Sequence, residues 1–504
     1  MHALISLYDK TNIIPFAKSL AESGVHLIST GGTQKLLTEE ASLLVTPVAE
    51  VTQSPEMLDG RVKTLHPRIH GGILALRDSE DHMRQLKDHA IDPIDIVVSN
   101  LYPFEQISAM PGVTIREVIE NIDIGGPSMV RAAAKNFQSV IIVIDPNDYE
   151  WIGERIRSNK IISFNERKSL AAKAFQHVAL YDTLVSSYLN DDEALPLELT
   201  LAYRQKYTLR YGENPHQKAA VYSKLQSSGG LSRAIKIQGK ELSFNNILDA
   251  EAAWDTVSDF KADTVAIIKH HNPCGLASDM DQPTAYTRAF EGDPISAYGG
   301  IVAFNRTVSG ETCKAFGSTF YEVVVAPGYT PEALQVLQRR KNLRVLKVAQ
   351  TEKDFDYRFI PGGLLIQGAD IIEEDATTWQ IVTKEQPSTE QLEDMKFAWQ
   401  AAKHVKSNAI VLASSQTLLG MGAGQPNRVT SIHLAVRAAG EKATGSVLAS
   451  DAMFPFPDNV EAASAGGVGA IVQPGGSIRD AEIIETADKL SIPMVFTGVR
   501  HFKH

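Results

Sequence analysis

Seven consecutive residues, Lys269-His270-His271-Asn272-Pro273-Cys274-Gly275, concentrate the proton-handling groups of this chain. They follow Val265-Ala266-Ile267-Ile268, a short, partly β-branched run that reads as a buried strand. Ligands of open α/β sheets collect at the carboxyl ends of strands, so the cluster is expected at a working edge, with Asn-Pro as a rigid turn. A lysine there can polarise or protonate, and a histidine can move a proton near neutral pH.

Four further segments carry chemistry. Ser29-Thr30-Gly31-Gly32-Thr33 puts two glycines between a strand and a helix. Backbone N–H groups and the helix dipole then favour a phosphate. A plain βα turn would also account for five such residues, but Lys10-Thr11 and Arg61-Val62-Lys63-Thr64 supply cations for the same crevice. The latter belong to Gly60–Gly72, a glycine- and proline-punctuated loop with three cations and two histidines. Leu209–Gln217 packs Arg210, Glu213, Asn214, His216 and Gln217 around Gly212 and Pro215, as a ligand-binding loop does. Asp451–Asn459 mixes two carboxylates with Phe454 and Phe456, either of which could cover a flat heterocycle or pack in a core. Asn100-Leu101-Tyr102-Pro103-Phe104, Asn121–Pro127, Ala132–Asn136 and Gly422–Arg428 add polar groups beside strand ends and tight turns.

The elements that must position these groups alternate. Leu4–Leu7 reads as a strand, Lys10–Ser23 as a helix stopped by Gly24, and Val25–Ile28 as the next strand. Ile94–Val98 and Val140–Ile144 are further strands, and the rhythm predicts a parallel sheet. The polar stretch Asn190–Glu193 followed by Pro196 marks a boundary. Beyond it, Leu392, Met395, Trp399, Ala402 and Val405 form one helical face behind a Ser388/Gln391 capping box. Strands are expected at Ala409–Ala413, Val447–Ala449 and Ala470–Val472. Lys269–Asn272 and Lys406-Ser407-Asn408 both sit at edges of β-type runs, which hints at a duplicated subdomain as much as at chance.

Composition narrows the class. At 504 residues, and roughly 100–200 per domain, two to four domains are expected. A net charge of −11 lacks the basic footprint of a nucleic-acid binder, so an anionic ligand must be held by local cations and N–H groups. No apolar run reaches the length of a membrane span. Met1-His2-Ala3-Leu4 does not read as a signal peptide, and only Cys274 and Cys313 occur, so a reducing, cytoplasmic location is expected.

Read in order, Leu209–Gln217, Lys269–Gly275, Gly60–Gly72 and Asp451–Asn459 closely resemble the bifunctional purine-biosynthesis family. That family joins aminoimidazole-carboxamide ribonucleotide (AICAR) transformylase to inosine monophosphate (IMP) cyclohydrolase. The resemblance runs from Ile5 to the C-terminus. It implies a methylglyoxal-synthase-like parallel-sheet domain over 1–195 carrying the cyclohydrolase. It implies a transformylase region over 196–504, built of two cytidine-deaminase-like subdomains split near 365–385. It further implies 10-formyltetrahydrofolate as formyl donor, AICAR, formylated AICAR (FAICAR) and IMP as ligands, and a homodimer with transformylase sites at the interface. Zinc deaminases use H-x-E and P-C-x-x-C. Pro273-Cys274 is followed by Gly275-Leu276-Ala277, so no zinc is expected, a monovalent cation being the ion left open.

The resemblance also assigns residues. His270 takes the proton of the AICAR amine, and Lys269 stabilises the oxyanion or protonates the leaving folate nitrogen. Arg210, Tyr211, Asn408, Arg428, Phe454, Asp458 and Arg500 match nucleotide or folate positions. Lys63, Tyr102, Asp123 and Lys135 match the cyclohydrolase site, where Ser29, Gly31, Gly32 and Thr33 hold the phosphate and Ser6, Lys10, Arg61, Thr64 and Asn100 join them. Ring closure is intramolecular, so this site mainly orients the substrate and handles protons. Two departures stand out. The family's Ser-Val-Ser-Asp-Lys-Thr loop reads Ser6-Leu7-Tyr8-Asp9-Lys10-Thr11 here, and His271 follows His270 as a competing base. A deaminase-type hydrolase, a methylglyoxal-synthase-type lyase and a non-catalytic nucleotide sensor are the rivals. The missing zinc ligands, the large C-terminal region and the two separate proton-handling sites count against them in turn.

Overall fold

The computed structural model describes the chain except residues 59, 191–194, 226–228, 351–353 and 373–374. The boundary expected at Asp191-Asp192-Glu193 therefore lies outside the described residues. The chain divides into two compact units, Met1–Arg204 with Lys224–Gln226, and Gln205–Ser223 with Ser227–His504.

The first unit is built on β1 (His2–Ser6), α1 (Ile13–Glu22), β2 (His26–Ser29), α2 (Gly31–Glu39), β3 (Val45–Pro47), α3 (Pro67–Leu74), β4 (Ile96–Ser99), α4 (Gly125–Lys135), β5 (Ile141–Val143) and α5 (Phe164–Leu189). Ile13, Phe16, Ala17 and Leu20 bury one face of α1, and the chain leaves it through Gly24 at φ +77°. The five strands pair in the order β3-β2-β1-β4-β5, all parallel. Ile96, Val97 and Val98 are fully buried, as strands covered on both faces must be. From β1 the chain winds outward through β2 to β3. It then returns to β4 and winds the other way to β5. The switch point therefore lies between β1 and β4, where a crevice opens beyond the carboxyl ends of the strands.

The second unit repeats itself. Its first half holds β6 (Ile235–Gln238), α6 (Phe244–Ser258), β7 (Thr264–Lys269), β8 (Asn272–Ser278), α7 (Gln282–Phe290), β9 (Ile301–Phe304), β10 (Val323–Ala326) and β11 (Arg344–Lys347). The second half holds β12 (Gln380–Ile381), α8 (Thr389–Lys403), β13 (Ile410–Ser414), β14 (Thr417–Gly422), α9 (Arg428–Ala439), β15 (Val447–Ser450), β16 (Ala470–Gln473) and β17 (Met494–Phe496). All twelve strands form one sheet, β12-β17-β16-β15-β13-β14-β8-β7-β9-β10-β11-β6, which has the same strand sequence from either edge. The halves meet at an antiparallel seam, β8 against β14. Trp254 of α6 and Trp399 of α8 share one buried cluster on one face of the sheet. The expected capping box closes α8, Ser388 Oγ accepting from the Gln391 N–H.

Two expectations about the Lys269–Gly275 segment change. Asn272-Pro273 is not the turn. Asn272 pairs with Lys269 and Pro273 with Ile268 at the start of β8, a position where a strand tolerates proline. The turn is His270-His271, at φ +52° and +64°, the signs a two-residue type I′ hairpin needs. The duplication is real, but its partner segment is not Lys406–Asn408. The hairpin matching β7–β8 is β13–β14, whose turn is Ser415-Gln416 at φ +51° and +54°.

Candidate active sites

A cavity of about 1050 Å³ opens at the switch point of the first unit. Gly31, Gly32 and Thr33 form the first turn of α2 on its wall. The Thr33 N–H donates to the Thr30 carbonyl at 3.1 Å, while the first N–H groups of a helix, here those of Gly31 and Gly32, have no intrahelical acceptor. Two ammonium groups converge above that turn. A Cβ placed on Gly31 would lie 3.5 Å from Lys63 Nζ, and one on Gly32 would lie 4.0 Å from Lys10 Nζ. Two cations over a helix N-terminus make an anion site of phosphate size. Gly60, at φ +87°, keeps the place open for Lys63, because a Cβ there would meet the lysine Cε at 2.5 Å. Lys63 Nζ also pairs with Glu56 Oε2 at 3.2 Å.

The other walls are tied together by side chains. Ser6 Oγ and Thr30 Oγ1 are 3.0 Å apart. Asn100 Oδ1 accepts from the Tyr8 and Asp9 N–H groups at 2.8 and 3.1 Å, while its Nδ2 donates to the Asp9 carbonyl at 2.7 Å. Asn100 thus clamps the first loop. Arg61 pairs with Glu120, and Thr64 is buried against the start of α4. Asp123 lies just before α4. Burial pushes its carboxyl up, against N–H donors from Gly126, at 2.8 Å, and Tyr102. The Asp123 N–H in turn donates to Tyr181 Oη at 2.8 Å.

The cavity therefore gathers Ser6, Lys10, Gly31, Gly32, Thr33, Arg61, Lys63, Thr64, Asn100, Tyr102 and Asp123. Two expected members stand apart. Ser29 is 1% exposed and its hydroxyl donates to the Ile5 carbonyl at 2.7 Å, so it holds β2 to β1. Lys135 ends the 11-residue helix α4, roughly 16 Å from the end that carries Asp123. It lines a different cavity of about 700 Å³, with His70, Arg131, Lys168 and Phe175. Tyr8 and Arg116 line the first cavity without having been expected there. The Tyr8 ring meets Tyr102 edge-on, centroids 5.8 Å apart. An aromatic residue in an otherwise polar loop was the signal for Tyr8. The Thr114/Glu117 capping box that brackets Arg116 was the signal for the helix that presents it.

In the second unit, Lys269 Nζ donates to the Tyr298 carbonyl at 2.9 Å, and His270 is exposed at the hairpin tip. Arg210 lies over the Tyr211 ring at 5.5 Å. Much of the polarity of Leu209–Gln217 is spent inside the loop: Gln217 Oε1 accepts from Asn214 N and Nδ2 at 2.8 and 3.1 Å. Arg210, Glu213 and His216 remain exposed.

A further cavity, of about 620 Å³, is lined by Asn408, Arg428, Asp458 and Arg500. Neither Lys269 nor His270 lines it. Arg428 is buried and engaged, with Asp451, with Ser450 Oγ at 2.9 Å and with Asn408 Oδ1 at 2.7 Å, so it braces the floor. Phe454 is fully buried in the core beneath, and the exposed rings on the wall are Phe456 and Phe502. Arg500 lies over Phe502 at 4.4 Å. Cys274 Sγ donates to the Ile267 carbonyl at 3.3 Å, and burial pushes the thiol up to about 12, a poor metal ligand.

The chain thus combines a parallel α/β unit that has a cation-lined cavity at its switch point with a duplicated α/β unit whose hairpin carries Lys269, His270 and His271. The family model described as AICARFT/IMPCHase bienzyme matches residues 133–438, and that of the MGS-like domain matches 12–128. The chain is 50% identical over 505 residues to the bifunctional purine biosynthesis protein PurH of Thermoanaerobacter sp. (strain X514), covering 100% of this chain and 99% of that protein. It is likewise 50% identical over 508 residues to the protein of that name from Bacillus cereus (strain AH820), at 100% and 99% coverage. A solved structure, the crystal structure of ForH, matches at 36% identity and a TM-score of 0.34 over 38% of this chain and 96% of that one.

The chain belongs to the AICARFT/IMPCHase bienzyme family. It is a bifunctional enzyme of the last two steps of purine synthesis, phosphoribosylaminoimidazolecarboxamide formyltransferase and IMP cyclohydrolase. No helix among the described residues is long and apolar enough to cross a membrane.

Proposed function

We propose that the two reactions are divided along the chain, ring closure in residues 1–195 and formyl transfer in 196–504. The observation that carries this reading is the convergence of Lys10 and Lys63 on the first turn of α2, in the cavity that also holds Asp123 and Tyr102. The phosphate of FAICAR lies on that turn. The carboxamide nitrogen attacks the formyl carbon and a C–N bond forms. The carbonyl oxygen becomes a hydroxyl with the proton that nitrogen gives up, and the C–O bond then breaks as water leaves with the formamide N–H proton. Asp123 takes the nitrogen's proton, and Lys63 stabilises the oxygen as it gathers charge.

Formyl transfer uses 10-formyltetrahydrofolate. The AICAR amine attacks the formyl carbon, His270 takes the amine proton, the bond to folate N10 breaks, and Lys269 supports the oxyanion or protonates that nitrogen. Arg210, Tyr211, Asn408, Asp458 and Arg500 hold nucleotide or folate. Neither Lys269 nor His270 is among the residues that line the Asn408–Arg500 cavity of the same copy. This supports a homodimer in which each transformylase site draws on both copies. The enzyme works in the cytoplasm, without zinc.

An absorbance assay with AICAR and 10-formyltetrahydrofolate tests the reading, which requires tetrahydrofolate and IMP to appear together. Lys63→Ala blocks ring closure of added FAICAR and spares formyl transfer. Loss of both activities in that variant would sink the division.

A further inference from the structure

The His270-His271 turn is an expensive one to build. Type I′ turns are dominated by Asn, Asp and Gly because both central residues need φ > 0, and two histidines in that region persist only where the surroundings impose it. One side chain does so. Asp249, in the body of α6, accepts the His270 N–H on Oδ2 at 3.2 Å and the His271 N–H on Oδ1 at 2.9 Å. Its Oδ1 also lies 3.9 Å from His271 Nε2. Among the described residues no ion pair or hydrogen bond holds the His270 ring.

The second half of the unit contains the same device without the chemistry. Asp394, in α8, accepts the Ser415 N–H on Oδ2 at 2.8 Å and the Gln416 N–H on Oδ1 at 2.6 Å. His404 follows Asp259 by 145 residues, and the same spacing separates Asp394 from Asp249, Ser415 from His270, and the N-cap Ser388 from Ser243. A helix-borne carboxylate that grips both N–H groups of a hairpin tip is therefore a property of the repeat. Only the first copy loads the tip with Lys269, His270 and His271.

We propose that Asp249 is a positioning residue for formyl transfer. Its carboxylate sets the turn that presents His270 to substrate, and of the two rings it is His271, 3.9 Å away, that lies on its side. This rests on the reading of His270 given above. The repeat provides an internal control, because Asp394→Asn makes the same loss of one of two carboxylate acceptors at a turn without proton chemistry. An amide has one acceptor oxygen, and its NH2 opposes the second turn N–H.

The test compares Asp249→Asn and Asp394→Asn in the full-length protein, by steady-state formyl transfer, ring closure of FAICAR and thermal melting. Asp249→Asn lowers kcat for formyl transfer by about ten- to a hundredfold with little change in KM for AICAR, as misplacement of a reacting group does. Ring closure is unaffected. Asp394→Asn lowers the melting temperature comparably and leaves formyl transfer within about twofold. Adding His271→Gly to Asp249→Asn restores kcat toward that of His271→Gly alone, since glycine adopts φ > 0 without strain. Rescue also separates a misplaced turn from a misfolded unit. Normal kcat in Asp249→Asn, an equal loss in Asp394→Asn, or no rescue by glycine overturns the proposal. Normal formyl transfer in His270→Ala would remove the reading of His270 itself. An inactive His270→Ala beside a normal Asp249→Asn would remove only the role of Asp249.

Discussion

His404 Nε2 and Asp259 Oδ2 are 2.8 Å apart, although the two residues occupy the same place in the two repeats of the second unit. His404 is buried near the end of α8, and Lys403 reaches the same carboxylate oxygen at 2.9 Å. The repeats are thus joined beneath the sheet by a polar pair as well as along the β8–β14 seam.

This pair makes the second unit acid-sensitive. Burial pushes the Asp259 carboxyl up, but His404 and Lys403 outweigh it and hold it well below the usual range. Burial lowers the His404 imidazole, with Asp259 opposing. A histidine lowered by folding resists a proton that the unfolded chain accepts below about pH 6.5, and a lowered carboxylate adds stability that is lost below about pH 3.9. Both signs agree, so the urea midpoint of unfolding declines from about pH 6.5 downward. His404→Gln, neutral at every pH, flattens the upper part of that decline. An unchanged pH slope in the variant would assign the acid sensitivity elsewhere.

Asp123 has the opposite sign. Its carboxyl is raised by burial, so at neutral pH its ionised form is a cost to the fold. Asp123→Asn therefore melts at a slightly higher temperature at pH 7, while ring closure falls by about a hundredfold or more. The acid limb of kcat/KM for ring closure in the parent enzyme lies above the ordinary aspartate value of about 3.9. A variant that is both less stable and still active would contradict this account.

Gly60→Ala tests the cradle without touching a charged group. The new Cβ meets the Lys63 side chain at 2.5 Å, on a backbone at φ +87°. The ammonium is displaced from above Gly31, and ring closure drops by about tenfold or more. Formyl transfer, measured on the same preparation, is unchanged.

Tyr8 stands where a serine is usual in the family, and its ring packs edge-on against Tyr102. Edge-to-face pairs contribute about 0.5–1.5 kcal/mol. Tyr8→Ser frees the Tyr102 ring and raises KM for FAICAR by about three- to tenfold, with kcat largely kept. An unaltered KM would mean that Tyr102 is held by its own backbone and that the Tyr8 ring adds nothing.

Much was legible from local pattern. The alternation of strands and helices, the Ser388/Gln391 cap and the glycines at Gly31 and Gly32 that open α2 depend on propensities and spacings within a few residues. The loop expected over Gly60–Gly72 is loop only in its first part, because Pro67 starts the helix α3. The motifs carried the family for the same reason, being contiguous in the chain. What escaped was non-local. Phe454 and Phe456 are two residues apart, yet one is core and the other cavity wall, because the packing of the layer below decides which ring is covered. Lys135 is separated from Asp123 by the length of α4, which the order of residues does not reveal. The turn at His270-His271 has no local turn chemistry. It exists because β7 and β8 pair on either side of it and because Asp249, from another element, grips both of its N–H groups. The sequence by itself determined which residue types could handle protons and anions. The tertiary structure decided which of them share a space, because backbone pairing and side-chain burial are settled between segments far apart in the chain.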